Sequence, residues 1–410
     1  MTVPAFPDRA RVDAHEKVIG KAPYAADVMI PGTLFAMMVP ATIAKGRIAG
    51  LSTEAAMRVS GMTRIFTADD FSPPPPPTPG GPPPPPPLII SEIAYRGQPV
   101  ALVVAETLEA AIEGAEAIRP TYEEASSFSS RIDSAGAKQE PVKPVSAGDA
   151  DAAMARAAAR HKAEYISPAQ HHNPMEMLST TAVWTDGQLT IYEGTQGANG
   201  IKGNVARALG LDPAKIVVKS PQVGGGFGQK GAGQRQTAIV AKAAMVLGKP
   251  VKLVLPRAQI FHNATFRPLS RHRVEIGADA EGKMIAVRYD ADHQQSRVGR
   301  FPPSYHSGLA QMYGIANYHG TAADIRIDTQ SPGYMRSPHP HPGCFAFESA
   351  VDELAAKLGE DPVAFRLKHD SKVDAFTGHP LSSCYLNECI IEGARRFGWD
   401  RRSAAPSVPT

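Results

Sequence analysis

The sequence has 410 residues, more than one compact core usually holds, since single cores stop growing near roughly 250–300 residues; two or three domains are expected. Its 43 Lys+Arg against 40 Asp+Glu leave a formal charge of +3, and no run of like charges offers a tether, which argues against a nucleic-acid or membrane partner. The three cysteines, Cys344, Cys384 and Cys389, are odd in number, form no CxxC pair and cannot supply the four ligands of an ordinary iron–sulfur cluster. Free thiols in a reducing compartment are expected.

The opening MTVPAFPDRARVDAHEKVIG lacks the apolar core of a signal peptide, and the longest apolar stretches, such as PVALVVA, fall well short of the ~20 residues a spanning helix needs. A cytoplasmic location follows, unless a partner's export signal carries the chain outward. From Lys21 to about Glu124 short apolar runs alternate with turns: GTLFAMMVP, MTRIFTADDF and the strand-like YRGQPVALVVA, then TLEAAIEGAEAI with apolar residues at helical spacing. This predicts a small α+β domain over 1–124. A proline-rich stretch at 72–87 interrupts it, and prolines that remove backbone donors place that stretch in an exposed loop.

Residues 125–150 are polar and turn-rich and read as a linker. A second domain is expected over 151–372. It begins with HKAEYISPAQHHNPMEMLSTTAVW, followed by TAVWTDGQLTIYEGTQ, a hairpin with a two-residue Asp186-Gly187 turn that opens a new sheet. GANGIKGNVARALGL reads as a helix, KIVVKSP as a strand, QTAIVAKAAMVLG as a helix and VKLVLP as a strand. RHRVEIGADAEGKMIAVRYDADH reads as strand–turn–strand, and GCFAFESAVDELAAKLG as a helix.

Between KIVVKSP and the following helix lies SPQVGGGFGQKG, in which Gly226-Phe227-Gly228-Gln229-Lys230-Gly231 satisfies G-x-G-x-x-G. A dinucleotide site would also need an acidic residue about 20 residues on, where the sequence reads KPVKLVLPRAQ with Arg257 and no carboxylate. Phe227 is bulky where the backbone must approach a pyrophosphate, and no Gly-Lys-Ser/Thr completes a Walker A motif. The glycines themselves supply close backbone approach and converging N–H groups, which suits an anionic or oxo-bearing group as well as a plain tight turn.

QVGGGFGQK, EGTQG, QHHNPMEM, TFRPLSRHRVEIGADAEGK and YMRSP…FESAVDELA together resemble the molybdenum-cofactor-binding subunit of the xanthine dehydrogenase and aldehyde oxidase family. The segments RVDAHEKVIGKAPYAADVMIPGTLFA and EIAYRGQPVALVVAET resemble that family's N-terminal hammerhead domain, and the likeness runs in order along nearly the whole chain. It implies an α+β architecture: the hammerhead α/β domain, then the first molybdopterin-binding domain, with 373–410 the start of a second cofactor-binding domain that is largely absent. It also implies which residues matter. Gly225, Gly226, Phe227 and Gly228 would present amides and an aromatic ring beside a molybdenum oxo ligand, Gln196 would approach the metal from the other side, and Arg336 would lie near the pterin. Glu176 and Arg267 would line or support the pocket. No side chain would ligate the metal, because the molybdenum–molybdopterin group brings its own ligands.

The same resemblance implies hydroxylation of an aldehyde or N-heterocycle with water as oxygen source, [2Fe–2S] and FAD on partner subunits, and the cytosine dinucleotide form of the cofactor. Gln229 stands where the family usually has Gly or Ser, and Gly231 where purine-oxidising members commonly have Glu, which disfavours a purine. RSPHPHPG replaces RAPGEAxG, so His339 and His341 are either a His-x-His metal pair or solvent-facing side chains. The family's general-base glutamate would lie beyond these residues, in a missing C-terminal half, so no catalytic residue is assigned and the chain alone is expected to be inactive. Two other functions remain open: a truncated, non-catalytic module that binds partner subunits, and an NAD(P) oxidoreductase.

Overall fold

A computed structural model describes residues 11–71, 88–231, 234–301, 304–305, 310–369 and 371–403. The expected proline-rich loop at 72–87 and the terminal AAPSVPT lie outside the described residues. Strands are numbered in chain order: β1 Leu34–Pro40, β2 Gly46–Ser52, β3 Met62–Phe66, β4 Glu92–Ile93, β5 Pro99–Ala105, β6 Arg119–Glu124, β7 Lys138–Ala147 and β8 Ala159–Ser167. The series continues with β9 Ser179–Thr185, β10 Gln188–Glu193, β11 Ile216–Lys219, β12 Val251–Val254, β13 Ser270–Ala278, β14 Met284–Ser296 and β15 Asn317–Ile327.

The chain folds into two units. The first comprises Met1–Phe128, His171–Phe266 and Asp328–Arg336, so it joins the expected N-terminal domain to part of the expected second one. Its main sheet has seven strands in the order β11-β10-β9-β12-β1-β5-β3. The pairs β1–β12 and β10–β11 are parallel, and the others antiparallel. β5, PVALVVA, is buried at every position, as expected of a strand covered on both faces. The helix Leu108–Ala117 packs on β1 and β5, and Thr107 caps it by accepting from the Ala110 N–H at 3.1 Å. The helix Arg235–Leu247 covers β9 and β12, burying Ala238, Ile239, Val240, Ala241, Ala243 and Ala244. The β9–β10 hairpin turns through Asp186 and Gly187, both at positive φ (51° and 74°), as a two-residue turn between twisted strands requires. A smaller sheet, β4-β2-β6, completes the unit.

The second unit comprises Ser129–Gln170, Arg267–Ile327 and Ser337–Thr410. Its sheet runs β7-β15-β14-β13-β8, with only β14–β15 parallel. The helix Pro340–Leu358 lies against β8 and β13 over a core that includes Tyr289, Tyr318, Phe347 and Phe365. Two features differ from expectation. Residues 138–147, within the expected linker, form β7, whose Pro141 and Pro144 are tolerated because the strand is an edge and needs donors on one side only. β15, to which the sequence pattern assigned nothing, is an interior strand. Among the described residues no helix is long and apolar enough to cross a membrane.

Candidate functional site

In the first unit the glycine loop joins β11 to the helix Arg235–Leu247, but its glycines do not begin that helix. Gln229 N donates to Gly226 O at 2.9 Å and Gly231 N to Gly228 O at 3.1 Å, so the loop closes in successive turns before the helix starts. Strands β9 and β10 stand between β11 and β12, so the strands before and after the loop and helix are not neighbours, and of the three pairs in that stretch only β10–β11 is parallel. A dinucleotide fingerprint needs the helix to start within the motif and neighbouring parallel strands, so the NAD(P) reading fails on geometry.

Phe227 sits at φ 53° with its side chain 43 % exposed. A non-glycine residue there costs of order 1–3 kcal/mol and persists only where neighbours hold it. The holding bonds are present: Arg336 N donates to Phe227 O at 2.7 Å, and Gly228 N donates to Gln196 Oε1 at 2.9 Å. Gly228 has φ 98°, and a Cβ there would stand 2.7 Å from Tyr334 O, so only glycine fits between the two backbones. At Gly226 a Cβ would stand 2.4 Å from Gln196 Oε1, so the missing side chain is what admits the Gln196 amide. Among the described residues, the backbone N–H groups of Gly225, Gly226 and Phe227 have no protein acceptor.

The neighbouring segments are tied to this loop. Gln196 N donates to Lys230 O at 2.8 Å, and Thr195 Oγ1 to the same oxygen at 3.0 Å. His172 Nε2 lies 2.6 Å from Tyr334 O, joining the QHHNPMEM stretch to YMRSP. Glu176 supports the loop from beneath: its Oε2 accepts from Gly224 N at 2.7 Å and pairs with the Lys230 ammonium. That ion pair is buried, with side chains 6 % and 1 % exposed. Burial pushes the Lys230 pKa down, and Glu176 opposes the shift. Gln196, Gly225, Gly226, Phe227, Gly228, Glu176 and Arg336 therefore share one unit, with Arg336 exposed at its last residue.

Arg267 falls in the second unit, where it is buried and committed to Gln170 Oε1 at 2.6 Å, His341 Nδ1 at 2.9 Å and Ser337 O at 3.3 Å. His339 stacks on Phe301 with ring centroids 5.3 Å apart, so the two histidines of HPH have separate partners. Among the described residues no three His, Cys, Asp or Glu side chains are grouped to hold a metal ion.

Sequence reasoning passed over Lys230, His172 and Glu193. Glu193 is fully buried at the end of β10, in phase with the inward Leu189 and Ile191, and a carboxylate at an inward strand position was the available signal. A cavity of about 290 Å³ lined by Leu88, Tyr95, Arg207, Arg235, His262 and Thr265, among others, lies in the same unit and includes none of the glycine-loop residues.

The family described as "Molybdopterin cofactor-binding domain" matches residues 135–369, and that described as "Aldehyde oxidase and xanthine dehydrogenase, a/b hammerhead domain" matches residues 19–126. The aldehyde oxidoreductase molybdenum-binding subunit PaoC of Escherichia coli is 33 % identical over 402 residues, covering 97 % of this chain and 54 % of the relative. A xanthine dehydrogenase molybdenum-binding subunit of Escherichia coli O157:H7 is 26 % identical, with 96 % and 56 % covered. In fold, the chain is similar to CO dehydrogenase from Oligotropha carboxidovorans, with a TM-score of 0.84 at 22 % identity, over 96 % of this chain and 54 % of that one. It is also similar to the aldehyde oxidoreductase from Desulfovibrio gigas, with a TM-score of 0.80 at 24 % identity, over 96 % and 47 %. The chain spans about half the length of the curated relatives it matches.

Proposed function

The chain belongs to the aldehyde oxidase and xanthine dehydrogenase family of molybdopterin-binding proteins, and from that premise we propose that it supplies the amide-lined part of a molybdenum hydroxylase site. The observation that carries this reading is the run of three N–H groups, at Gly225, Gly226 and Phe227, with no protein acceptor among the described residues. Donors fixed in advance by a strained, doubly anchored loop suit an oxygen-rich anionic group and need not reorganise when it arrives. When bound, the molybdenum–molybdopterin group supplies the oxygen-transfer and electron-accepting chemistry.

The residues of this chain bind and orient. Gly225, Gly226 and Phe227 donate backbone hydrogen bonds, Gln196 fixes Gly228 and presents its own amide, and Arg336 contributes positive charge beside Phe227. The exposed Phe227 ring forms an apolar wall for a flat or small substrate, an aldehyde or an N-heterocycle. Glu176 supports the loop, and Arg267 braces Gln170, Ser337 and His341 within its own unit. We assign no catalytic base to this sequence. The proposed assembly adds a second molybdopterin-binding domain, a [2Fe–2S] subunit and an FAD subunit, with the cofactor in its cytosine dinucleotide form and the complex in the cytoplasm unless a partner carries it out.

Metal analysis tests this reading. The chain purified from co-expression with those partners should carry molybdenum and support aldehyde-dependent dye reduction, whereas the chain purified alone should carry none. Absence of molybdenum from both preparations would overturn the enzyme reading in favour of a module that only binds partner subunits. Within the active assembly, Phe227→Ala should lower turnover tenfold or more, equivalent to about 1.4 kcal/mol of barrier, while stability changes by less than about 1 kcal/mol because the ring is half exposed. Parallel losses of turnover and melting temperature would make Phe227 a packing residue instead.

A further inference from the structure

Behind the glycine loop lies a second carboxyl group for which the cofactor reading has no use. Glu193 closes β10, three residues before Gln196, and is completely buried. Its Oε2 accepts from Thr180 Oγ1 at 2.5 Å and Thr237 Oγ1 at 2.6 Å, which hold it from β9 and from the helix Arg235–Leu247. Its Oε1 has no partner among the described residues, and neither has Glu176 Oε1. The ammonium of Lys230 is attracted to both carboxylates and repelled by Arg257. Glu176 holds the Lys230 ammonium directly, while Glu193 lies behind that pair with no ion pair of its own among the described residues; the cation belongs to the residue whose carbonyl anchors Thr195 and Gln196.

We propose that Glu193 is a positioning residue for the glycine loop: its protonation state, acting through Lys230, decides how firmly residues 224–230 are held against the Thr195–Gln196 segment. With Glu193 neutral, Lys230 and Glu176 form a balanced pair, and Glu176 keeps its bond to Gly224 N. With Glu193 ionised, a second carboxylate is buried behind a cation already paired with Glu176, and one of its oxygens has no donor among the described residues. Loop opening, which admits water, then relieves a penalty that the closed loop cannot avoid.

The direction with pH follows from linkage. Burial pushes Glu193 up to about 7 from an ordinary 4.5, against the lowering effect of the two threonine hydroxyls and Lys230. The closed loop therefore binds the proton more tightly than the open one. It is favoured most at low pH and loses that advantage as pH rises from about 4.5 to about 7. The consequence for catalysis rests on the cofactor reading above; the positioning itself does not.

Hydrogen exchange of the full chain, followed by mass spectrometry from pH 5 to 8 and corrected for intrinsic rates, tests this without any metal. Protection of a peptide covering residues 222–231 should fall about tenfold across that range, while a peptide within residues 239–247 holds constant. Glu193→Gln should keep the low-pH protection throughout. Thr237→Val, which removes one donor to the carboxylate, should move the midpoint upward, so a second variant remains if the first does not fold. A wild-type loop with no pH step would overturn the proposal, as would a step that survives in Glu193→Gln, or a loss spread equally over the control peptide and all pH values. Because the readout needs no molybdenum, its failure and the failure of the metal analysis are separate results.

Discussion

Lys230→Met should be the most damaging single change in the first unit, lowering stability by about 3–5 kcal/mol, because it leaves Glu176 buried with no cation. Chemical denaturation of the wild type and the variant measures the loss as a shift in midpoint at constant slope. The double variant Glu176→Gln/Lys230→Met should recover a large part of it, since a neutral amide can still accept from Gly224 N while neither position carries a charge to be solvated. A double variant no more stable than Lys230→Met would show that the ammonium matters for its packing and not for its charge.

Gly228→Ala should cost about 2–4 kcal/mol, from two causes that act together. The residue sits at φ 98°, where an L side chain is strained by about 1–3 kcal/mol, and its Cβ would meet the backbone of Tyr334, which cannot rotate away. Gly226→Ala is the contrasting change. The atoms in its path belong to the flexible end of Gln196, which can swing aside, so the variant should remain folded within about 1 kcal/mol while losing the bond from Gly228 N to Gln196. Melting temperatures of the two variants side by side would check this; equal losses would mean that the loop does not discriminate between backbone and side-chain neighbours.

The elements that proved legible in the sequence are those whose signal is local. The period of GCFAFESAVDELAAKLG and the Asp186-Gly187 turn each announce one structure from a few adjacent residues, and the helix Pro340–Leu358 and the β9–β10 hairpin follow. β7 was hidden by Pro141 and Pro144, which read as breakers until its edge position is known. β15 reads NYHGTAADIRI, whose small and polar residues give no clean alternation; it is a strand because β14 and β7 flank it. The same distinction separates the site residues. The glycine loop, Gln196 and Arg336 stand in recognisable motifs, whereas Glu193 finds Thr180 and Thr237, and Lys230 finds Glu176, only when distant segments are brought together by the fold. Arg267 was grouped with the others by its motif, yet it bonds to Gln170, His341 and Ser337 of the second unit.

The parallel pairing of β1 with β12 sets Leu34 beside Val251, more than two hundred residues later in the chain. During synthesis at ~5–20 residues per second, β1 emerges roughly 10–40 s before the strand that covers this flank. Throughout that interval the apolar run LFAMMVP presents an unpaired edge of the kind that invites association with other nascent chains. The first sheet is thus completed late, and yield in the cell depends on whatever shields that edge until Val254 has been delivered.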